Sequence, residues 1–332
     1  MEFLARLPNC RLRTLYLAHK RVFKPERLTH SISLITNCQQ LRSLIFDGYS
    51  FSINEELCYK IRALTALTEL SLPRSLTSAQ CYLVLNESLS YLNLKKLLLQ
   101  LHPSNKDESF VDCNFQFWNS IVSRPSLQSL TVNWDMVDLG DKTLNKSNTH
   151  LSELKIEYRF EYFTSIPDIL HSHPNLTTLH LQIGDTIPKE MCDAIGKLGN
   201  LRTLEIPFEC RFYSDDLRFL ARLTKLEKLN LQRCVVPITS IGSLASLQKL
   251  KTLLITFSEP DDDDDDPLEF KHLDLTFPAL EHLEIRKLWD TRAYSIGFLS
   301  SLHNLKYVKL DHLTKQGTSS YLNLTHCHRL TV

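Results

Sequence analysis

Glycine is scarce in this chain, at only 8 of 332 residues. Loops that cradle phosphate groups need several glycines close together, because the backbone must approach the ligand without a Cβ. The patterns GxGxxG, GxxxxGK[ST] and GxSxG are absent, and so is the zinc motif HExxH. With no recognisable set of nucleophile, base and orienting group, we expect no enzyme activity and no cofactor.

An excess of charge of one sign is also missing. The 38 basic and 38 acidic residues cancel to a formal net charge of zero. Nucleic acids and anionic membranes are bound through basic surfaces, so this balance argues against both as partners. No window reaches 18 uninterrupted apolar residues, so we expect no membrane-spanning helix. At the N-terminus, Glu2, Arg6 and Arg11 occupy places where a secretion signal needs an apolar stretch.

Paired cysteines are lacking as well. The nine cysteines are odd in number, scattered and never at CxxC spacing, which argues against a disulfide framework. Reduced thiols are typical of the cytoplasm, where we expect this chain, with the nucleus as the alternative. His171 with His173, and His326 with His328, come closest to metal ligands. Neither pair has a second pair at zinc spacing, so we expect no metal site.

What the sequence contains instead is an internal repeat. The pattern Leu-x-x-Leu-x-apolar occurs twelve times, the last time with Val308 in place of the second leucine, and 24 to 33 residues separate successive first leucines. These first leucines are Leu12, Leu41, Leu67, Leu94, Leu127, Leu151, Leu176, Leu201, Leu226, Leu250, Leu280 and Leu305. A motif that recurs at this spacing indicates an array of stacked structural repeats.

Each motif predicts a strand whose fourth and sixth residues point inward. Apolar residues at helical spacing follow several strands, as in 54–64, 187–198 and 214–223. One strand and one helix cannot bury their apolar faces alone, whereas stacked neighbours can. The sequence therefore predicts an α/β solenoid, with a parallel sheet on its concave face and helices on its convex face.

The twelve motifs resemble those of leucine-rich repeat proteins, which form a horseshoe of this kind, here a single domain over 1–332. In regular repeats an Asn or Cys follows three residues after the sixth position and binds neighbouring backbone. Only Cys234 keeps that residue type here. The chain is therefore similar to the irregular intracellular repeats of F-box adaptors and of plant immune receptors.

The position two residues after the motif is occupied by large side chains in several consecutive repeats. Strand alternation predicts that these side chains point inward and extend the core, the alternative being an exposed stripe on the rim. They are Trp134, Tyr158, Ile183, Phe208, Arg233 and Phe257.

Three repeats carry insertions, near 101–112, 135–150 and 258–270. Insertions in a solenoid emerge on one face, so we expect these loops along a common rim. The last includes six consecutive aspartates, Asp261, Asp262, Asp263, Asp264, Asp265 and Asp266. Such a run is typical of a solvated loop, and docking to a basic partner is the alternative.

A curved sheet with varied polar side chains suits recognition of another protein better than binding of a small molecule. We therefore predict a protein partner, bound on the concave face or on the rim that bears the insertions. The central concave candidates are Glu153, Lys155, Glu157, His180, Gln182, Glu205, Lys228, Asn230 and Gln232. Oligomeric state is open at this point.

The resemblance to F-box adaptors implies a role in substrate recognition for a ubiquitin ligase. Two alternatives are a regulator of another enzyme, such as a GTPase-activating or inhibitor-like repeat protein, and a bacterial effector that mimics host repeats. A GTPase-activating role needs an exposed Arg or Asn at an edge. Arg159, Arg233 and Arg286 lie near strand ends.

Overall fold

A computed structural model shows how these repeats fold. The chain divides into two compact units, Met1–Tyr158 and Arg159–Val332. The predicted insertions near 101–112, 135–150 and 258–270 lie almost wholly outside the residues that the structure describes, and the single domain stays a prediction. The described residues are 11–18, 38–47, 52–72, 75–76, 79–99, 102–103, 116–133, 150–157, 166–182, 185–207, 210–212, 216–236, 238–257, 277–286, 302–310 and 329–331.

The described part of the first unit contains nine strands. In chain order they are β1 (Thr14–Ala18), β2 (Ser43–Asp47), β3 (Ser52–Ile53), β4 (Glu69–Leu72), β5 (Ser75–Leu76), β6 (Lys96–Leu99), β7 (His102–Pro103), β8 (Ser129–Asn133) and β9 (Glu153–Glu157). Six of them form the main parallel sheet, in the order β1-β2-β4-β6-β8-β9. The short strands β3, β5 and β7 form a second parallel sheet. Each repeat thus adds one strand beside the last, as the period predicts.

Helices connect these strands. They are α1 (Glu55–Arg62), α2 (Ala79–Ser90) and α3 (116–122). The helix predicted over 54–64 is confirmed as α1. Its start is fixed by Asn54, whose side chain accepts a hydrogen bond from the N–H of Leu57 at 2.9 Å, an N-cap contact that contributes about 1 kcal/mol. Its buried face consists of Leu57, Cys58 and Ile61.

The described part of the second unit also contains nine strands. They are β10 (Thr178–Gln182), β11 (Asp185–Thr186), β12 (Thr203–Glu205), β13 (Cys210–Arg211), β14 (Lys228–Val236), β15 (Thr252–Phe257), β16 (His282–Arg286), β17 (Tyr307–Leu310) and β18 (Arg329–Thr331). Its main sheet has the order β10-β12-β14-β15-β16-β17-β18, and every pairing is parallel. The short strand β13 pairs with β11 and with the end of β14.

Helical segments of the second unit alternate with its strands. They are α4 (Ile166–Ser172), α5 (Lys189–Gly196) and two 3₁₀ helices, Asp216–Arg222 and Ile238–Ser246. The segment predicted over 214–223 is therefore helical, but it is a 3₁₀ helix. Leu217 and Leu220 in this helix and Leu223 directly after it are all buried, and their spacing of three residues matches the three residues per turn of a 3₁₀ helix.

The strand side of the core is built from residues that the motif predicts to face inward. All of the first-position leucines are buried except Leu12, which is half-exposed. The sheet register aligns the fourth-position residues into a column, as in Leu229, Leu253, Leu283 and Val308. Burying each such side chain contributes about 1.5 to 3 kcal/mol. The chain is thus an α/β leucine-rich repeat solenoid, with a parallel sheet and helices that bury the leucine face.

The turn before each strand is held by a repeated backbone pattern. The N–H groups of Arg202 and Thr203 both donate to the carbonyl of Thr177, at 2.8 and 3.0 Å. One repeat later, Glu227 and Lys228 donate in the same way to the carbonyl of Arg202, at 2.8 and 2.9 Å. These bonds satisfy backbone groups that cannot reach a partner within their own repeat.

Cys234 fulfils the role that its position predicts. The residue is fully buried, and its Sγ–H donates to the carbonyl of Ile206 in the preceding repeat at 2.8 Å. The other five described cysteines are buried thiols as well, and none of the six forms a disulfide. The thiol of Cys234 therefore acts as the side-chain link between two neighbouring repeats.

The inward orientation predicted for Arg233 is wrong. Arg233 is exposed and has a φ of 70°, because β14 bulges between Leu231 and Val236 and alternation stops there. Cys234 takes the inward place instead. Of the other residues in that predicted row, Phe257 ends β15. The rest lie outside the described residues, namely Trp134, Tyr158, Ile183 and Phe208.

Candidate functional site

We call the side of each main sheet opposite the buried leucines its outer face, which is the concave face of the prediction. In the second unit the register places His180 beside Glu205, and Glu205 beside Asn230. These side chains alternate with buried Leu204 and Leu229, so the core packing itself fixes their positions. The outer face is thus built by the same alternation that builds the core.

A cluster around Glu205 lies on this outer face, and its three members come from three adjacent strands. Glu205 Oε2 lies 3.0 Å from Nδ1 of His180, and its Oε1 lies 2.5 Å from Nζ of Lys228. The Glu205 side chain is only 22% exposed. Burial raises the pKa of its carboxyl, but the hydrogen bonds and charges of Lys228 and His180 outweigh that effect and hold the pKa below its ordinary value. The alternation of inward and outward residues in the sequence correctly predicted that these three side chains lie on one face of the sheet.

A second carboxylate cluster surrounds Glu284 on β16. The side-chain amide of Gln232 donates to Glu284 Oε2 at 2.8 Å, across the intervening strand β15. Nε2 of His282 lies 3.3 Å from Glu284 Oε1, and Nη2 of Arg286 lies 3.8 Å from Oε2. The Glu284 side chain is 15% exposed. Both carboxylates of this face are therefore held in place by neighbours on other strands.

An aromatic pair adjoins the Glu284 cluster. The rings of His282 and Tyr307 stack with their centroids 4.2 Å apart and an angle of 17° between their planes. Both residues are half-exposed, so the stacked pair lies at the surface beside a charged cluster. Large, rigid rings of this kind are favoured at the centres of protein interfaces.

Two of the predicted residues stabilise the end of β14. The backbone N–H of Gln232 donates to Oδ1 of Asn230 at 3.0 Å, and the N–H of Arg233 donates to Oγ1 of Thr256 at 3.2 Å. These two hydrogen bonds hold the bulge of β14 in place, and Arg233 is exposed at this bulge. Predicted Gln182 is half-exposed at the end of β10.

The remaining concave-face candidates belong to the first unit. Glu153, Lys155 and Glu157 lie on β9, and Nζ of Lys155 is 2.9 Å from Oε1 of Glu157. The predicted patch thus divides between the two units. Asp261–Asp266, the candidate docking loop, lie outside the described residues.

The outer face of the first unit is more apolar at its N-terminal end. Tyr16 pairs in register with Ile45, and Tyr16 is 54% exposed. Leu98 lies in the same row two strands further on, beyond Ser71. Ser71 is buried and donates its hydroxyl to the carbonyl of Phe46 at 3.3 Å. Polar and apolar side chains are therefore distributed unequally along this face.

Sequence reasoning missed a row of charges where the strands begin, which we call the edge row. It consists of the second residue of each motif. In the second unit Glu227 lies 2.6 Å from Arg202 and 2.8 Å from Lys251, and Glu281 lies 2.8 Å from Lys306. The sequence contains the pattern that predicts this row, since the second residues of the five motifs from Leu201 to Leu305 are Arg, Glu, Lys, Glu and Lys.

No group of three or more His, Cys, Asp or Glu side chains is placed to hold a metal ion among the described residues. The two described histidines considered as ligands have other roles. His171 lies 3.3 Å from Nζ of Lys197, and buried His173 contacts the carbonyl of Ile169 through Nδ1 at 2.7 Å. None of the described helices has the length and apolar character needed to cross a membrane.

A shallow cavity of about 470 Å³ lies where α2 and α3 end. Arg124 lines it, but its guanidinium donates to the carbonyl of Leu89 at 2.5 Å and so caps α2. Burial lowers the pKa of Arg124 to about 10. On the rim, the guanidinium of Arg62 lies 3.6 Å from the ring centroid of Tyr91, and Tyr91 is 52% exposed. These contacts account for the cavity as helix-end packing.

The comparisons with known proteins concern the fold. No family model matches the chain, and no curated protein matches it either. Among solved structures it is similar to TLR13 in the TLR13–ssRNA13 complex, with a TM-score of 0.53 and 19% identity over 99% of this chain and 47% of that chain. The chain thus spans about half the length of the TLR13 chain.

Two bacterial structures are also similar. An internalin from Listeria monocytogenes strain 4b F2365 has a TM-score of 0.49 and 15% identity over 97% of this chain and 87% of that one. A leucine-rich repeat protein from Leptospira interrogans has a TM-score of 0.48 and 16% identity over 100% and 86%. At such identities the likeness describes the fold and nothing finer.

Proposed function

We propose that this chain is a non-enzymatic recognition module that binds a protein partner through the outer face of its sheet. The observation that carries the proposal is the pair of carboxylate clusters around Glu205 and Glu284. Each joins side chains from at least two strands at 2.5 to 3.8 Å. A partner would meet polar groups already held in place, which lowers the entropy lost on binding.

The shape of this surface supports a protein over a small ligand. Small molecules bind in enclosed, mostly apolar pockets, whereas the clusters lie on an open sheet and mix charges, amides and the stacked rings of His282 and Tyr307. Protein interfaces commonly combine an aromatic centre with polar surroundings. The carboxylates of Glu205 and Glu284 disfavour a phosphate backbone on the same face, so we do not extend the RNA of the TLR13 complex to this chain.

We propose the cytoplasm, or alternatively the nucleus, as the location, and substrate recognition in a ubiquitin-ligase-type adaptor as the setting. The irregular motif, in which Cys234 alone keeps the ladder residue, supports this through its resemblance to F-box adaptors. Arg233 supports a second candidate, the regulator of another enzyme, because it is exposed at the edge of the sheet where a GTPase-activating arginine would be needed.

Quantitative affinity capture from a native lysate tests the proposal. We expect Glu205→Lys to lose partners that the wild-type chain retains, because it reverses the charge at the centre of the His180–Lys228 cluster. Glu190→Lys is the matched control, since it makes the same charge change at an exposed position of α5. Circular dichroism checks that both variants fold.

The identity of the captured proteins separates the two settings. Ligase subunits would support the adaptor, whereas a GTPase whose hydrolysis rate changes on addition of purified chain would support the regulator. Equal capture by wild type and Glu205→Lys would exclude the Glu205 cluster as the binding site.

A further inference from the structure

The edge row differs between the two units in a way that the fold does not require. In the second unit its cations alternate with Glu227 and Glu281 and form ion pairs of 2.6 to 2.8 Å. In the first unit the same motif position carries Arg13, Arg42, Thr68, Lys95, Gln128 and Ser152. That row contains three cations and no acid.

The basic residues of the first unit lie close together. We call Arg11, Arg13, Arg42 and Lys95 the basic edge. The N–H of Arg42 donates to the carbonyl of Arg13 at 2.8 Å, so these two arginines lie side by side, directly before the adjacent strands β1 and β2. Adjacent strands are about 4.8 Å apart, so the stretch from β1 to β6 spans about 14 Å.

All four side chains of the basic edge are exposed, and the described residues offer none of them an ion pair. Among the described carboxylates, the nearest in the register is that of Glu69, which accepts a hydrogen bond from the hydroxyl of Ser43 at 2.8 Å. Glu69 also lies opposite Lys96 in the register, on the outer face. The positive charge of the basic edge is therefore uncompensated within this part of the chain.

Like charges on neighbouring strands repel and destabilise a sheet. The second unit shows that this position tolerates alternating charge, because Glu227 lies between Arg202 and Lys251 there. Keeping Arg13 beside Arg42 thus costs stability that a single glutamate would restore. A row of exposed cations that faces no acid is suited to an anionic ligand.

We propose that the basic edge binds an acidic segment of the partner protein, with two or three carboxylates spread over about five residues. An extended segment of that length reaches about 17 Å, enough to cross the four strands. Because the partner proposed above is a protein, we assign carboxylates and not phosphates as the anions, and an oligonucleotide of matched charge is the competing ligand in the test below. This inference rests on the proposed function and deepens it by naming the chemistry of the partner.

Fluorescence anisotropy with synthetic peptides tests the proposal on the full chain. The probe is a labelled peptide of alternating Glu and Ser, and its neutral match alternates Gln and Ser. We expect the Glu peptide to bind, the Gln peptide not to bind, and the binding to weaken as salt rises. The triple variant Arg13→Glu, Arg42→Glu, Lys95→Glu should bind the Glu peptide roughly tenfold more weakly or worse, about 1.4 kcal/mol.

Matched variants keep the result interpretable. Lys249→Glu makes the same charge change at an exposed residue of the second unit and should bind the Glu peptide as the wild type does. Arg42→Glu alone should melt no lower than the wild type, because it places an acid beside Arg13. If Arg42→Glu binds the Glu peptide more weakly but melts at the wild-type temperature, the weaker binding reflects loss of the ligand site and not loss of the fold.

Three outcomes would overturn the inference. The Glu and Gln peptides could bind equally, the triple variant could keep full affinity, or an oligonucleotide of matched charge could bind more tightly at the same residues. If one of these occurs while Glu205→Lys still loses its captured partners, only this inference fails. If the peptide depends on the basic edge and Glu205→Lys changes nothing, the Glu205 cluster fails as the proposed site.

Discussion

The thiol of Cys234 donates a hydrogen bond to the carbonyl of Ile206 across 2.8 Å, and both residues are fully buried. The bond connects two successive repeats at the only position where this chain keeps the usual ladder residue. Regular repeats have a side chain for this contact in every repeat, whereas this sequence has one only at Cys234. Its energetic importance can be measured directly.

Cys234→Val should lower the free energy of unfolding by about 1 to 3 kcal/mol, because it leaves the buried Ile206 carbonyl without its donor. Cys234→Ser keeps a donor of similar size and should cost less. Chemical denaturation of both variants measures the difference. Equal stability of Cys234→Val and wild type would show that the thiol contributes no useful hydrogen bond.

Arg233→Gly should be more stable than Arg233→Ala by about 1 kcal/mol. Both variants remove the same side chain, but only glycine adopts a φ of 70° without a steric penalty. Thermal melting of the two variants isolates the backbone term, whatever the arginine side chain itself contributes. A more stable alanine variant would contradict the left-handed conformation at the β14 bulge.

The stability of the second unit should depend on pH through Glu205. Its folded pKa lies below its ordinary value of 4.5, so the cluster contributes its full stability above that value. The contribution is lost as pH falls from about 4.5 through the lower folded pKa, because protonation breaks the contacts with Lys228 and His180.

Glu205→Gln should therefore reduce the free energy of unfolding at neutral pH and flatten its decrease in acid. Urea unfolding across a pH series measures this effect. Glu190→Gln, which removes an exposed carboxyl from α5, should leave the profile unchanged. Identical pH profiles for wild type and Glu205→Gln would contradict a carboxylate stabilised by its neighbours.

Glu227→Gln should destabilise the chain slightly at low ionic strength and not at all at high salt. Its contacts with Lys251 and Arg202 hold the pKa of the Glu227 carboxyl low, but the side chain is half-exposed and its ion pairs are screened by salt. Melting temperatures at two salt concentrations check this. A salt-independent loss would indicate a packing effect instead of an electrostatic one.

The fold was predictable because the information that specifies it is local and repeated. Each Leu-x-x-Leu-x-apolar motif specifies an inward column, so Leu229, Leu253 and Leu283 could be aligned from their spacing alone. Glu205, His180 and Lys228 were found by the same rule, since outward positions alternate with inward ones.

The rest of the site depends on geometry that no motif states. The bond from Gln232 to Glu284 joins residues 52 positions apart and crosses a strand, so it needs the register of three strands at once. Arg233 was placed inward because alternation was extended through a bulge. The alternating charges of Glu227 and Lys251 are visible in the sequence, but only the parallel register of their strands shows that the two side chains form an ion pair.

The edge row also constrains how this chain can change its number of repeats. Excising the single repeat that begins at Leu226 would remove Glu227 and place Arg202 directly beside Lys251, two cations in contact. Excising two neighbouring repeats would preserve the sequence of signs. We therefore expect the loss of two neighbouring repeats from the middle of this row to destabilise the fold less than the loss of one.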